Sequence, residues 1–189
     1  MTDAGIKISA KGDYSNNDAI DKVLTYIFQY PTEQAPNRNP KPIHFYGLPY
    51  IGYPPKIEDV IVQFKMIRQR QNSAIRRQLW HFQITFPFVF PSKYDSYFYF
   101  ADAVASIFCR EYPVCYAYHT ENRHTNDFHS HFHFVVSTSS YISGYPPLDA
   151  KKFQAYLTQI PPITQAYGIH LYHLQSLEEL QLLDLKMIF

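Results

Sequence analysis

Five of the nine histidines fall between His119 and His133, a density that ordinary core or surface usage does not produce. His131 and His133 are one residue apart in a stretch, 129–138 (HSHFHFVVST), that alternates polar and apolar residues. In an extended chain both rings point the same way, about 6.5–7 Å apart, which lets them converge on one ion. His119 ends the preceding apolar run and joins them if the two segments pair as strands. Three neutral imidazoles with the remaining coordination positions open describe a catalytic metal site better than a structural one, which uses four protein ligands. Glu121 lies two residues after His119, where its carboxylate could accept the free ring N–H of a liganding histidine and set its tautomer. Asp127 fits the same role equally well. His124, in the polar loop, and His129, one step further along the strand, suit surface or supporting positions.

The elements that must carry these residues can be read from their periodicity. Residues 114–118 form a short strand ending at His119, residues 120–128 a polar hairpin loop, and residues 129–138 the return strand. Residues 79–86 (LWHFQITF) alternate Trp80, Phe82, Ile84 and Phe86 with His81, Gln83 and Thr85, the period of a half-buried strand. Residues 16–30 begin with Asn and Asp, repeat apolar residues at Ile20, Val23, Leu24 and Ile27, and stop at Pro31, which predicts a first helix. Residues 57–71 predict a second helix, with acids at its start and Lys65, Arg68 and Arg70 towards its end. Between them, seven prolines interrupted by aromatics make 31–55 a long ordered loop, since proline forbids regular helix and disfavours central strand. Further helices are predicted at 97–112, at 151–160 ended by Pro161, and at 177–187, with a turn at Gly168 and a last strand at 169–174. Together these predict an α+β fold, a central antiparallel sheet with helices packed mainly on one face.

The composition sets limits on what such a site can serve. With 189 residues, 46% hydrophobic and 17% aromatic, the chain fits one domain, 1–189, that buries a sizeable core, and disorder as the main state is excluded. A formal net charge of +1 removes global basicity as an argument for nucleic-acid binding, so any polyanion site must be local. The local candidate is Lys65, Arg68, Arg70, Arg76 and Arg77, crowded into thirteen residues without an acid. The Pro- and Tyr-rich segment 43–53 offers flat faces on which bases could stack. Two cysteines cannot build a disulfide framework, the opening residues lack the apolar run of a signal peptide, and no stretch approaches a spanning helix. These features predict a soluble, cytoplasmic protein with no membrane insertion.

Taken in order, the elements resemble those of a known family. His119-Thr-Glu121, a polar loop and His131-Phe-His133-Phe-Val-Val-Ser137 resemble the metal motif of conjugative and mobilisation relaxases, plasmid nickases of the His-hydrophobe-His (HUH) endonuclease superfamily. Tyr26-Ile27 is similar to that family's nucleophile motif, Trp80-His81-Phe-Gln-Ile-Thr85-Phe86 to its His-x-x-x-Ser-Phe strand, and Ala166-Tyr167-Gly168-Ile169 to its tyrosine-glycine turn. The resemblance runs from about residue 18 to 175. Three features depart from it: Ser137 stands where Asn is common, Glu121 where Asp is more frequent, and the loop between His119 and His131 is longer than in many members.

The resemblance implies a relaxase-like fold, related to palm and ferredoxin-like domains, and a metal-dependent nuclease that nicks one strand of plasmid or mobile-element DNA at an origin of transfer and later rejoins it. It makes Tyr26 the nucleophile, with Tyr30 as its rival, Glu121 a catalytic acid, and His119, His131 and His133 the ligands of a divalent ion. Imidazole ligation alone suggests zinc or another late transition metal; the family implies manganese or magnesium, of which manganese suits imidazole better. Single-stranded origin DNA, accessory DNA-binding proteins and coupling proteins are the implied partners. Three alternatives stay open: a rolling-circle replication initiator or transposase of the same superfamily, for which Tyr156 is the candidate nucleophile; a DNA-binding module that has lost nicking; and a metal-binding hydrolase acting on another substrate.

Overall fold

The alternating segments around the histidines form the middle of a sheet. The computed structural model describes residues 2–8, 14–29, 31, 33, 36, 38–48, 51–71, 75–86, 96–121 and 128–173. Its elements, in chain order, are β1 (Thr2–Ile8), α1 (Ala19–Ile27), β2 (His44–Tyr46), α2 (Ile57–Gln71), β3 (Leu79–Thr85), α3 (Ser96–Cys109), β4 (Val114–Glu121), β5 (Phe128–Ser137), α4 (Ala150–Leu157), α5 (Ile160–Ala166) and β6 (Ile169–His173). The described strands make one sheet in the order β2-β4-β5-β3-β1-β6. Every neighbouring pair is antiparallel except β1 and β6. The protein is therefore α+β with a central antiparallel sheet, as its patterning predicts.

Alternation along the strands divides the side chains between two faces. Trp80, Phe82 and Ile84 of β3, Val114 and Tyr116 of β4, and Phe132, Phe134 and Val136 of β5 pack against α3, α4 and α5. The aromatic stack is tight: Trp80 and Phe153 lie parallel at 4.5 Å, and the indole N–H donates to the carbonyl of Leu148 at 2.8 Å. The opposite face contributes Leu79, Cys115, Ala117 and Val135 to a second cluster with Ile20, Leu24 and Ile27 of α1 and Val60, Phe64 and Ile67 of α2. Helices thus cover both faces, where the sequence reading expected them mainly on one. The reason is that α1 and α2 are themselves amphipathic and need a sheet to bury their apolar stripes, so the face bearing the histidines is buried too.

Three local features differ from the predicted elements. β1 has no forecast counterpart; Gly5 interrupts its pattern, and it is held by non-local pairing to β3 on one side and β6 on the other. β2 is a three-residue edge strand inside the proline-rich loop, paired with the start of β4. The helix predicted over 151–160 stops at Leu157 instead, and Pro161 lies in the next one, α5, where Pro161 and Pro162 occupy the first turn and lose no intrahelical bond. Gly168, at φ 67°, makes the predicted turn into β6 in a conformation that disfavours other residues. The predicted helix 177–187 lies outside the described residues, and no helix among those described is long and apolar enough to cross a membrane.

Candidate metal centre

The antiparallel register of β4 and β5 sets His119 directly opposite His131 and His133 opposite the small side chain of Ala117. Odd-numbered positions share the α1 face, so the three rings gather there. All three are buried, and their candidate ligand nitrogens lie within 4.8 Å of one another. Ring centroids are 5.3 Å apart for His119 and His131, 4.6 Å for His119 and His133, and 4.9 Å for His131 and His133. The predicted convergence is therefore present, and the three residues are close enough to hold one metal ion. A register shift between His119 and Glu121 lies at the end of the pair, the kind of irregularity that re-aims side chains near functional sites.

Hydrogen bonds orient the rings. His119 Nε2 lies 2.5 Å from the carbonyl oxygen of Ile27. A carbonyl only accepts, so this nitrogen bears the proton and Nδ1 carries the lone pair. The Gln29 amide donates to that Nδ1 at 3.4 Å. Gln29 sits at φ 51°, a left-handed conformation uncommon for residues with a side chain, where α1 ends. His133 Nδ1 lies 2.8 Å from Nε2 of His81, whose Nδ1 is in turn 3.1 Å from the Tyr14 hydroxyl. Burial pushes the His81 imidazole down to about 4, with repulsion from His119 adding to it. Burial likewise holds His133 well below the usual range, helped by its three imidazole neighbours, His81, His119 and His131. Neutral rings with one nitrogen engaged by protein are the state in which histidine ligates, so the donor set fits a divalent ion.

Tyr26 comes from α1. Ala19, Ile20, Leu24 and Ile27 turn into the core, which leaves Tyr26 on the flank of the helix, 42% exposed. Its ring meets the His133 ring edge-on, with centroids 5.8 Å apart and planes at 87°. The structure thus brings Tyr26 to the three histidines, while Tyr30 lies outside the described residues. Tyr156 belongs to the core on the other side of the sheet and donates to the Glu111 carboxylate. It does not share a face with the imidazoles, which counts against the reading that made it the nucleophile.

The remaining predicted residues separate. Glu121 closes β4 with its backbone opposite Phe128; its side chain, and residues His124 and Asp127, lie outside what is described. Among the basic residues, three are engaged within the protein. Lys65 pairs with Asp21 at 2.7 Å. Arg68 donates to the carbonyls of Ile75, Arg76 and Arg77 and to the Thr138 hydroxyl, tying the end of α2 to the chain leading into β3. Arg77 is buried, with its guanidinium 4.3 Å from the Trp80 ring and 5.5 Å from that of Tyr14. Arg70 and Arg76 are exposed. Ser137 lies buried where β5 ends, its hydroxyl accepting from the amide of Ser139.

His81 and Gln83 are also at the site; both are expected in the strand 79–86, but neither with a role beside the metal ligands. The signal was present in the alternation of β3, which sets His81 and Gln83 on the face where β5 presents His131 and His133; Gln83 is the register partner of His133. Comparison with protein-family models, with curated proteins and with solved structures finds no match for this chain.

Proposed function

We propose that this chain is a relaxase-type DNA strand transferase, in which Tyr26 attacks a phosphodiester of single-stranded DNA beside the His119, His131 and His133 cluster. One observation carries the reading: a half-exposed tyrosine meets His133, one of three buried, converging imidazoles, on a helix that another of them, His119, anchors. His119 through Nδ1, where the ion would take the place of the Gln29 amide, together with His131 and His133, would hold the ion, with manganese or magnesium as the working choice. Bound there, such an ion supplies Lewis-acid polarisation of a phosphate oxygen.

The chain's own residues account for the rest. The Tyr26 oxygen bonds to phosphorus as the bond to the 3′ oxygen breaks; the phenol gives up its proton and the departing oxygen takes one up. The products are a 5′-phosphotyrosyl bond and a free 3′-hydroxyl, and the reverse attack rejoins the strand. A phenol is a weak nucleophile at neutral pH and needs this kind of electrostatic help. Burial holds the imidazoles of His81 and His133 below the usual range, which favours the neutral rings that suit a bound cation. Of the five clustered cations, Arg70 and Arg76 are left for the DNA backbone, so sequence or hairpin recognition must supply much of the affinity. Origin-of-transfer DNA, with accessory and coupling proteins in the cytoplasm of a plasmid-bearing cell, is the setting this reading expects.

The test uses single-stranded oligonucleotides tiling the DNA that flanks the gene, incubated with the protein and Mn²⁺, followed by denaturing electrophoresis and peptide mass spectrometry. A DNA adduct on Tyr26, absent in Tyr26→Phe, is expected. An adduct on another tyrosine, cleavage without an adduct, or binding without cleavage each contradicts the proposal, the last favouring a non-catalytic DNA-binding module.

A further inference from the structure

We infer that His81 is a positioning residue of the metal centre: its Nε2 accepts the Nδ1–H of His133, which turns the lone pair on the other nitrogen of His133 towards the rings of His119 and His131, while Tyr14 steadies His81 from behind. The inference rests on the reading of the three histidines as ion ligands and adds a fourth histidine that does not bind the ion itself.

The geometry supports this in several ways. His81 is buried, and its ring stacks on that of His133 with centroids 5.0 Å apart and planes at 24°. The 2.8 Å separation between His81 Nε2 and His133 Nδ1 is a full hydrogen bond. Only one of the two nitrogens in that pair can carry the proton. If His81 were the donor, the proton of neutral His133 would sit on Nε2, the nitrogen remaining for an ion. With His133 as the donor, Nε2 keeps its lone pair, and His81 then carries its own proton on Nδ1. That proton needs an acceptor, and the Tyr14 oxygen lies 3.1 Å away. The Gln83 amide is 3.1 Å from the same His133 Nδ1; its oxygen and nitrogen ends exchange by a flip, so it can accept beside His81.

Tyr14 is itself fixed. It is buried, its carbonyl accepts from the Gln78 amide at 2.7 Å, and the Arg77 guanidinium lies over its ring. A phenol, an imidazole and a ligand imidazole therefore form one braced line from the loop before α1 through β3 to β5. An apolar side chain at position 81 would be cheaper to bury, because an imidazole in a core must have its polar atoms satisfied. Ligand histidines characteristically give their second N–H to a fixed acceptor, and removing that acceptor typically costs about 10–100-fold in metal affinity.

The test compares wild type with His81→Phe, which keeps a ring but removes the acceptor, and His81→Gln, whose amide oxygen reaches about as far as Nε2. Two readouts are used: the tautomer of His133 in the metal-free protein at neutral pH, from long-range ¹H–¹⁵N correlation spectra, and Mn²⁺ affinity by calorimetry. Wild type should show the Nδ1–H tautomer of His133. His81→Phe should lose that preference and bind Mn²⁺ about 10–100-fold more weakly, with His81→Gln restoring affinity to within about threefold of wild type. Wild-type affinity in His81→Phe, no rescue by His81→Gln, or an Nε2–H tautomer in the wild type would overturn the inference. Wild-type protein that binds no Mn²⁺ overturns the metal reading and this inference with it, a result distinct from the other three. If His81→Phe does not fold, Tyr14→Phe takes its place: a mixed tautomer and a several-fold weaker affinity are expected, and no change in either contradicts the line of bonds.

Discussion

The ring of His119 donates its Nε2–H to the main-chain oxygen of Ile27, one residue beyond Tyr26. A candidate metal ligand on a central strand is therefore also the anchor of the helix that carries the candidate nucleophile. The distance between the two is set by a short bond between side chain and backbone, not by loops.

This dual role separates two substitutions on facing sides of the site. His119→Ala should destabilise the metal-free protein by about 1–3 kcal/mol, because it leaves a buried carbonyl without its donor. Tyr26→Phe, on the exposed flank of α1, should stay within about 0.5 kcal/mol of wild type. Urea unfolding of both variants with EDTA present measures the difference; equal losses would contradict the anchoring role.

The buried histidines make the metal-free protein sensitive to acid. His81 is held at about 4 in the folded chain against an ordinary value of 6.5, so the unfolded state binds more protons between these values and stability falls as pH drops through that window. Above pH 6.5 the effect is absent. At about 1.4 kcal/mol per pH unit, His81 alone accounts for about 3 kcal/mol lost by pH 4, and His133 acts in the same direction. Unfolding free energies of EDTA-treated protein between pH 7.5 and 4.5 should fall accordingly, and His81→Phe should flatten the slope.

The five clustered cations should divide by role. Arg68→Ala removes donors to three carbonyls and a hydroxyl and should cost about 2–3 kcal/mol of stability, in line with hydrogen bonds from charged groups. Arg70→Ala and Arg76→Ala should leave stability unchanged and weaken binding to single-stranded DNA. Fluorescence anisotropy across a salt series checks this, with the double variant expected to lower the slope of log affinity against log salt by about 1.4, at about 0.7 per phosphate contact.

Much of this arrangement was readable before the fold, and the exceptions have physical reasons. The period of two in 79–86 and 129–138 placed Phe82 and Phe134 in one layer and His131 and His133 in the other, because a buried apolar face cannot slip register by one residue. Apolar spacing, with acids at the start and bases towards the end, gave α2 its bounds. The contents of the second layer were not readable: His81 looked like the polar side of a half-exposed strand, since nothing local shows that α1 and α2 will cover it. The internal partners of the basic cluster were unreadable for the same reason. Side-chain type does not reveal that Arg68 folds back onto carbonyls seven to nine residues away, or that Arg77 is buried against Trp80. β1 escaped notice because its pairing partners are distant in sequence and Gly5 weakens its pattern.

An ion bound only by the folded state should stabilise it. At a free Mn²⁺ concentration about 100 times the dissociation constant, the gain is about 2.7 kcal/mol. Thermal unfolding with and without Mn²⁺ should show this for wild type and Tyr26→Phe but not for His131→Ala. The same gain in His131→Ala would place the ion elsewhere.

If His119, His131 and His133 share one cation, their nitrogens must be bound to it directly. Electron spin echo envelope modulation of the protein loaded with one equivalent of Mn²⁺ tests it most directly, because directly bound imidazole nitrogen modulates the echo. Stoichiometric binding is expected, with ¹⁴N modulation that weakens when any one of the three histidines is replaced by alanine. A spectrum without nitrogen modulation, or one unchanged by all three substitutions, would contradict it.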